Sequence, residues 1–242
     1  MLTWFIESVL EGERFRFHDY PVNQLAGVQS QTPNFLINLH RIGDRRGAED
    51  YLARLGEVSR KFDQVLEGLV LREQKGVVPP RFVIERVLTE MRDFAGKPAV
   101  ENPLYVHFAG KIETLTDIKP ADKRAMLERC SEAIETGVVP AYRKLVSFFE
   151  GQLSRSTRDD GVWKLPDGDA YYAYRLRSET TTRMTPQAVA RPGPSEVARI
   201  EEEMKRILMA QGSCSPANRR GQAVSRLSKD PRFALSQYRR GP

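Results

Sequence analysis

The stretch that decides the fold runs from Asp44 to Arg81, D-R-R-G-A-E-D-Y-L-A-R-L-G-E-V-S-R-K-F-D-Q-V-L-E-G-L-V-L-R-E-Q-K-G-V-V-P-P-R. Ala48, Tyr51, Leu52, Leu55, Val58, Phe62, Val65, Leu66 and Leu69 recur in it at three- and four-residue steps. That spacing gathers apolar side chains on one face of a helix and predicts one long amphipathic helix. Gly76 predicts its end, because glycine enters the left-handed conformation that closes a helix without a Cβ penalty. Pro79-Pro80 predicts the start of the next helix, whose stripe is Val83, Ile84, Val87, Leu88 and Met91. So tight a connection predicts antiparallel neighbours.

Working outward, Leu2 to Phe17 predicts a first helix that Tyr20-Pro21 stops. Asn23 to Asn38 reads as loop with a short helical turn near Phe35-Leu36, because Gly27 and Pro33 interrupt it. Asn102-Pro103 predicts a cap for a helix through His107 to about Thr114. From Asp117 to Pro120 the longest helix begins, with Leu127, Cys130, Ile134, Val138, Ala141, Leu145 and Phe148 on one face. Pro140 should kink or split it, since it removes a donor and crowds the preceding turn. A last helix, Ser195 to Ala210, should turn Val197, Ile200, Met204 and Ile207 inward. No alternation of strand type competes. The fold class is all-α, a bundle of long antiparallel amphipathic helices with a helix-loop-helix Tyr/Arg corner and a basic tail. Residues 1–212 form the helical domain and 213–242 the tail.

That corner is Trp163 to Met204. Asp167-Gly168 is a turn pair after Pro166, and Asp169 is a suitable N-cap for a helix beginning at Ala170. The helix then brings Tyr171, Tyr172 and Tyr174 close together, with Arg175 and Arg177 behind them. Three phenols are more than a core readily takes, because each buried hydroxyl needs a partner. These five are the candidate substrate-binding residues, with tyrosine stacking and arginine pairing with carboxylates. Thr180-Thr181-Thr182 opens the helix end, and Thr185-Pro186 caps the next.

Charge excludes one class of partner. Of 38 basic and 32 acidic side chains, seven and one lie in residues 213–242, so residues 1–212 balance at 31 against 31. The helical body has no electrostatic reason to seek phosphate, and nucleic acid is not an expected partner. Neither is a membrane: Glu7 and Glu11 interrupt the apolar N-terminus, no basic segment precedes it, and no apolar run approaches a span. Cys130 and Cys214 make no framework, and Cys130 reads as an inert core thiol, so a cytoplasmic location is expected.

His18, His40 and His107 lie far apart in sequence, and no metal spacing or general base is visible. His40 reads as a histidine at a helix C-terminus and His107 as a hydrogen-bonded helix residue. Asp159, Asp160, Asp167 and Asp169 lack the glutamate that a calcium loop requires and read as turn chemistry. No catalytic residue is assigned in this chain.

The order of several motifs carries a resemblance. Gly168 to Thr182 (G-D-A-Y-Y-A-Y-R-L-R-S-E-T-T-T), Met184-Thr185-Pro186 and Gly193 to Met204 (G-P-S-E-V-A-R-I-E-E-E-M) resemble a bacterial family of zinc-metallopeptidase-like proteins, domain-of-unknown-function family 885. Asp50 to Leu55, Gly76 to Arg81 and Asp230 to Phe233 extend the likeness. The resemblance implies a peptide hydrolase that uses zinc, held by an H-E-x-x-x-G-H-H type segment well beyond these motifs; no such segment occurs here. It therefore implies a substrate-groove portion that is inactive alone, with a peptide as substrate of full-length relatives and a missing catalytic segment as partner. Ala190 stands where the family has histidine, and Pro192 and Pro194 where it has leucines, so the prolines should break a helix running on from Pro186. Between Gln211 and Leu227 the likeness lapses and then resumes, the pattern of a truncated or frameshifted gene. The alternative reading is a non-enzymatic helical protein-interaction module.

Overall fold

The computed structural model describes residues 2–210 and Ser225. Among them there is no strand, and no helix is long and apolar enough to cross a membrane. The helices are α1 (Leu2–Gly12), α2 (Val28–Asn34), α3 (Arg45–Gly56), α4 (Val58–Gln74), α5 (Arg81–Gly96), α6 (Pro103–Thr114), α7 (Pro120–Ala133), α8 (Val139–Leu153), α9 (Gly168–Thr180), α10 (Pro186–Ala190) and α11 (Pro192–Ala210). The all-α helical bundle is as the periodicity indicates. Two compact units divide at Met1–Tyr174 and Arg175–Pro242. That boundary falls inside α9; the division expected at 212 and the tail, with Cys214 and the Asp230 to Phe233 motif, lie outside the described residues except for Ser225.

The deciding stretch folds as two helices. Asp44 caps α3 by accepting the Gly47 N–H at 2.7 Å. At Glu57 the ladder tightens, its N–H bonding to the carbonyls of Arg54 and Leu55, and α4 then restarts. Beyond it the chain closes in a Schellman motif: Gly76 N–H to Glu73 O and Val77 N–H to Arg72 O, both 2.9 Å, with Gly76 at φ 77°. Ala48, Tyr51, Leu52, Leu55, Val58, Phe62 and Leu69 are buried as the spacing predicts, while Val65 and Leu66 are half-buried against the same core. α5 then begins after Pro80, and its first N–H, on Arg81, is taken by the Thr157 carbonyl at 2.8 Å.

Helix α8, rather than the sequence neighbour, is the principal partner of both α4 and α5. Tyr142 of α8 shows why: its ring stacks on Phe94 of α5 at 4.4 Å and tilts against Phe62 of α4 at 5.0 Å, and its hydroxyl donates to the Gln29 carbonyl of α2. Such aromatic pairs add about 0.5–1.5 kcal/mol each to simple burial.

Two expectations change through π turns. Where Pro140 is expected to kink or split the long helix, the ladder is interrupted but the helix continues: a π turn, Ile134–Val138, joins α7 to α8, with Val139 N–H bonding Ile134 O. The wider turn opens the ladder where the proline ring would meet the carbonyl four residues back. Asn23 to Asn38, expected as loop with a short helical turn near Phe35-Leu36, is helical from Val28 onward, as α2 and a π turn over Phe35–Leu39. Gly27 caps it, and buried Gln29 and Thr32 anchor it.

In the unit Arg175–Pro242, Thr185 caps α10 by accepting the Ala188 N–H at 3.2 Å, as expected. Pro192 and Pro194 sit in the first turn of α11, so the break falls at Arg191 and the helix starts three residues before Ser195. The inward stripe expected of α11 is open: Val197, Ile200, Met204 and Ile207 are 57, 46, 41 and 53% exposed. Periodicity identifies an apolar face but not what covers it.

Candidate functional site

α9 begins at Gly168, one residue before the expected cap Asp169. Asp167 takes φ 51°, and its carbonyl accepts the Tyr171 N–H at 2.9 Å. Two of the three tyrosines are tied down in the unit Met1–Tyr174. Tyr174 stacks on Phe15 with centroids 5.4 Å apart, and Tyr171 lies 5.4 Å from Phe15 and 5.1 Å from His18. Phe15 is buried and His18 bonds the Pro166 carbonyl at 2.7 Å through Nε2, so this N-terminal segment holds the first turns of α9. Beside it, burial and the neighbouring Tyr171 push the Tyr20 hydroxyl up to about 12. Tyr172 remains 45% exposed. In the other unit Arg175 pairs with Glu179 at 2.6 Å across one turn, and Arg177 is half-buried.

The structure brings two distant histidines to one core tyrosine. His40 caps the π turn and lies 5.4 Å from the Tyr51 ring; His107 lies 6.2 Å from it on α6. The Arg54 guanidinium donates to His40 Nδ1, so Nε2 carries the proton and donates to the Gly47 carbonyl at 2.9 Å. His107 departs from expectation: its Nε2 is buried without a partner, and burial first, then Lys111, lowers its pKa. Cys130 is a buried free thiol that burial pushes up to about 12, which makes it inert as expected. Among the described residues no three of His, Cys, Asp and Glu converge to hold a metal ion, so these side chains do not fit the zinc that the resemblance implies.

A second feature escaped the sequence. Thr32, Phe35, Leu36, Ala53, Arg54, Glu57, Val58, Arg60, Lys61 and Gln64 line a cleft of about 420 Å³. Its polar members along α3, the Glu57 junction and α4, namely Arg54, Glu57, Arg60, Lys61 and Gln64, recur at helical spacing and read in isolation as a solvated face. Only the packing of the Phe35–Leu39 turn against them makes a concavity. Arg54 belongs to Asp50 to Leu55, a motif that the sequence singles out, and this is the one signal that pointed toward it.

Similarity to known proteins agrees with the architecture. The solved structure of "the putative lipoprotein from Colwellia psychrerythraea" superposes with a TM-score of 0.78 at 25% identity, over 88% of this chain. The match takes in 36% of that protein, so the chain spans about a third of its length. No curated protein matches the chain significantly. Residues 1–241 match the family described as bacterial protein of unknown function (DUF885), and the chain belongs to that family.

Proposed function

We propose that this chain forms the helical, substrate-groove part of a zinc-dependent peptide hydrolase, with the residues that hold the metal lying outside positions 1–242. The observation that carries the reading is the open face of α11. Four large apolar side chains at helical spacing, Val197, Ile200, Met204 and Ile207, are left 41–57% exposed. A helix with such a stripe normally buries it, and an uncovered stripe marks a surface that a further stretch of protein packs upon. The greater length of the similar lipoprotein supports the same reading. Tyr172 would contact a peptide by stacking and Arg175 by pairing with a carboxylate; Tyr171, Tyr174 and Arg177 would support them.

Two measurements test it. In a longer family member, alanine at the position equivalent to Tyr172 or, separately, Arg175 should lower kcat/KM for peptide hydrolysis by about tenfold with an unchanged melting temperature. Wild-type kinetics in both would sink the assignment. The 242-residue chain itself should bind an apolar dye, and Ile200→Lys with Ile207→Lys should abolish that binding. A chain that binds no dye favours the interaction-module reading instead.

A further inference from the structure

The cleft between the α2 segment and the α3–α4 junction lies wholly within the unit Met1–Tyr174, and its volume of about 420 Å³ suits a small ligand. Its apolar surface is Phe35, Leu36 and Val58, with Leu36 and Val58 buried and Phe35 43% exposed. Its charges do not cancel. Glu57 is engaged by Arg60 at 2.5 Å. Arg54 spends one guanidinium nitrogen on the uncharged Nδ1 of His40 and stands 5.8 Å from the centre of the Phe35 ring. Among the described residues neither Arg54 nor Lys61 has a carboxylate partner, so two positive charges border the cleft unneutralised. Thr32 adds an independent observation. It is 8% exposed, it lines the cleft, and its hydroxyl has no hydrogen-bond partner. A buried hydroxyl without a partner is rare in a folded protein, and this one belongs to a residue that lines the cleft.

We propose that this cleft binds a monocarboxylate carrying a short apolar side chain. The carboxylate pairs with Arg54 and Lys61 and accepts from the Thr32 hydroxyl, and the side chain lies on Phe35, Leu36 and Val58. The apolar surface beside the two cations suits an anion that carries an apolar body, which inorganic phosphate lacks. This chemistry has two sources, a free branched acid and the C-terminal residue of a peptide.

Calorimetric titration of the full chain with 4-methylpentanoate, with acetyl-Ala-Ala-Leu bearing a free carboxylate, and with the same peptide as its C-terminal amide separates them. At least one of the two acids binds, and the amide binds about tenfold or more weakly. Tighter binding of the peptide acid identifies a peptide C-terminus as the source; equal or tighter binding of 4-methylpentanoate identifies a free acid. Lys61→Gln, at an exposed position with no side-chain hydrogen bond or ion pair among the described residues, lowers affinity about three- to tenfold. Thr32→Val lowers affinity while raising the melting temperature, a split that a purely structural hydroxyl would not produce. The proposal is overturned if amide and acid bind equally, if neither acid binds at millimolar concentration, or if Lys61→Gln leaves affinity unchanged.

Discussion

The Tyr51 hydroxyl donates to the Leu104 carbonyl at 2.9 Å, joining α3 to the first turn of α6 in the centre of the core. Both residues are buried, and the Tyr51 ring stacks on Phe108 at 5.0 Å, so hydroxyl and ring fasten the same two helices. Burial holds the Tyr51 hydroxyl well above the ordinary phenol range and keeps it a donor. Tyr51→Phe keeps the stack and strands the carbonyl. The expected loss is about 1–2 kcal/mol in urea unfolding, against about 3–5 kcal/mol for Tyr51→Ala. Equal losses would mean that the hydroxyl contributes everything and the ring nothing.

Gly76 occupies φ 77° at the end of α4, where the Schellman pair of hydrogen bonds turns the chain toward Pro79-Pro80. An added Cβ would clear its surroundings, the nearest atom being 3.7 Å away on Pro166, so the penalty is conformational alone. Gly76→Ala is expected to cost about 1–2 kcal/mol and Gly76→Asn clearly less, read from denaturation midpoints. An alanine variant as stable as the parent would show that the turn rearranges.

His107 sets a pH dependence. Its pKa is lowered in the fold because burial disfavours the imidazolium, so below the ordinary histidine value the unfolded chain binds a proton that the folded chain resists. Its contribution is therefore complete above about pH 6.5 and is lost as pH falls below that value. Urea unfolding at about pH 7.5 and pH 5.5 should show a larger acid loss for the parent than for His107→Gln. Identical pH slopes would remove His107 as the cause.

Cys130 tests the rigidity of α7 in the core. The thiol is fully buried and held at about 12, so in a Cys214→Ser background a thiol reagent should label it only as fast as the protein unfolds. Labelling that is rapid and independent of denaturant would indicate local opening of the α7–π turn–α8 helix.

Much of the helical framework was legible because its signals are local. Three- and four-residue spacing marks α4 and α5, Asn102 bonds the Leu104 N–H at 3.1 Å as a cap should, Thr185 caps α10, and Gly76 ends α4. Each depends on chemistry within one or two turns, which a sequence carries entire. Where local signals misled, tertiary contacts outweighed them. Gly27 and Pro33 argue against a helix at Val28, yet Gln29 bonds the Asn23 carbonyl at 2.7 Å and takes the Tyr142 hydroxyl from a position 113 residues away.

The sequence by itself determined that the chain is all-α, where most helices start and stop, and which face of each is apolar. Only the tertiary structure decided which faces are covered, so that Phe62 is buried while Ile200 stands open. It also decided which polar groups meet: Tyr171 and Tyr174 lie on Phe15, and Thr32 comes to the same cleft as Arg54 and Lys61. The reason is physical. Periodicity and capping are properties of neighbouring residues, whereas burial and clefts arise from surfaces that meet only when distant helices pack.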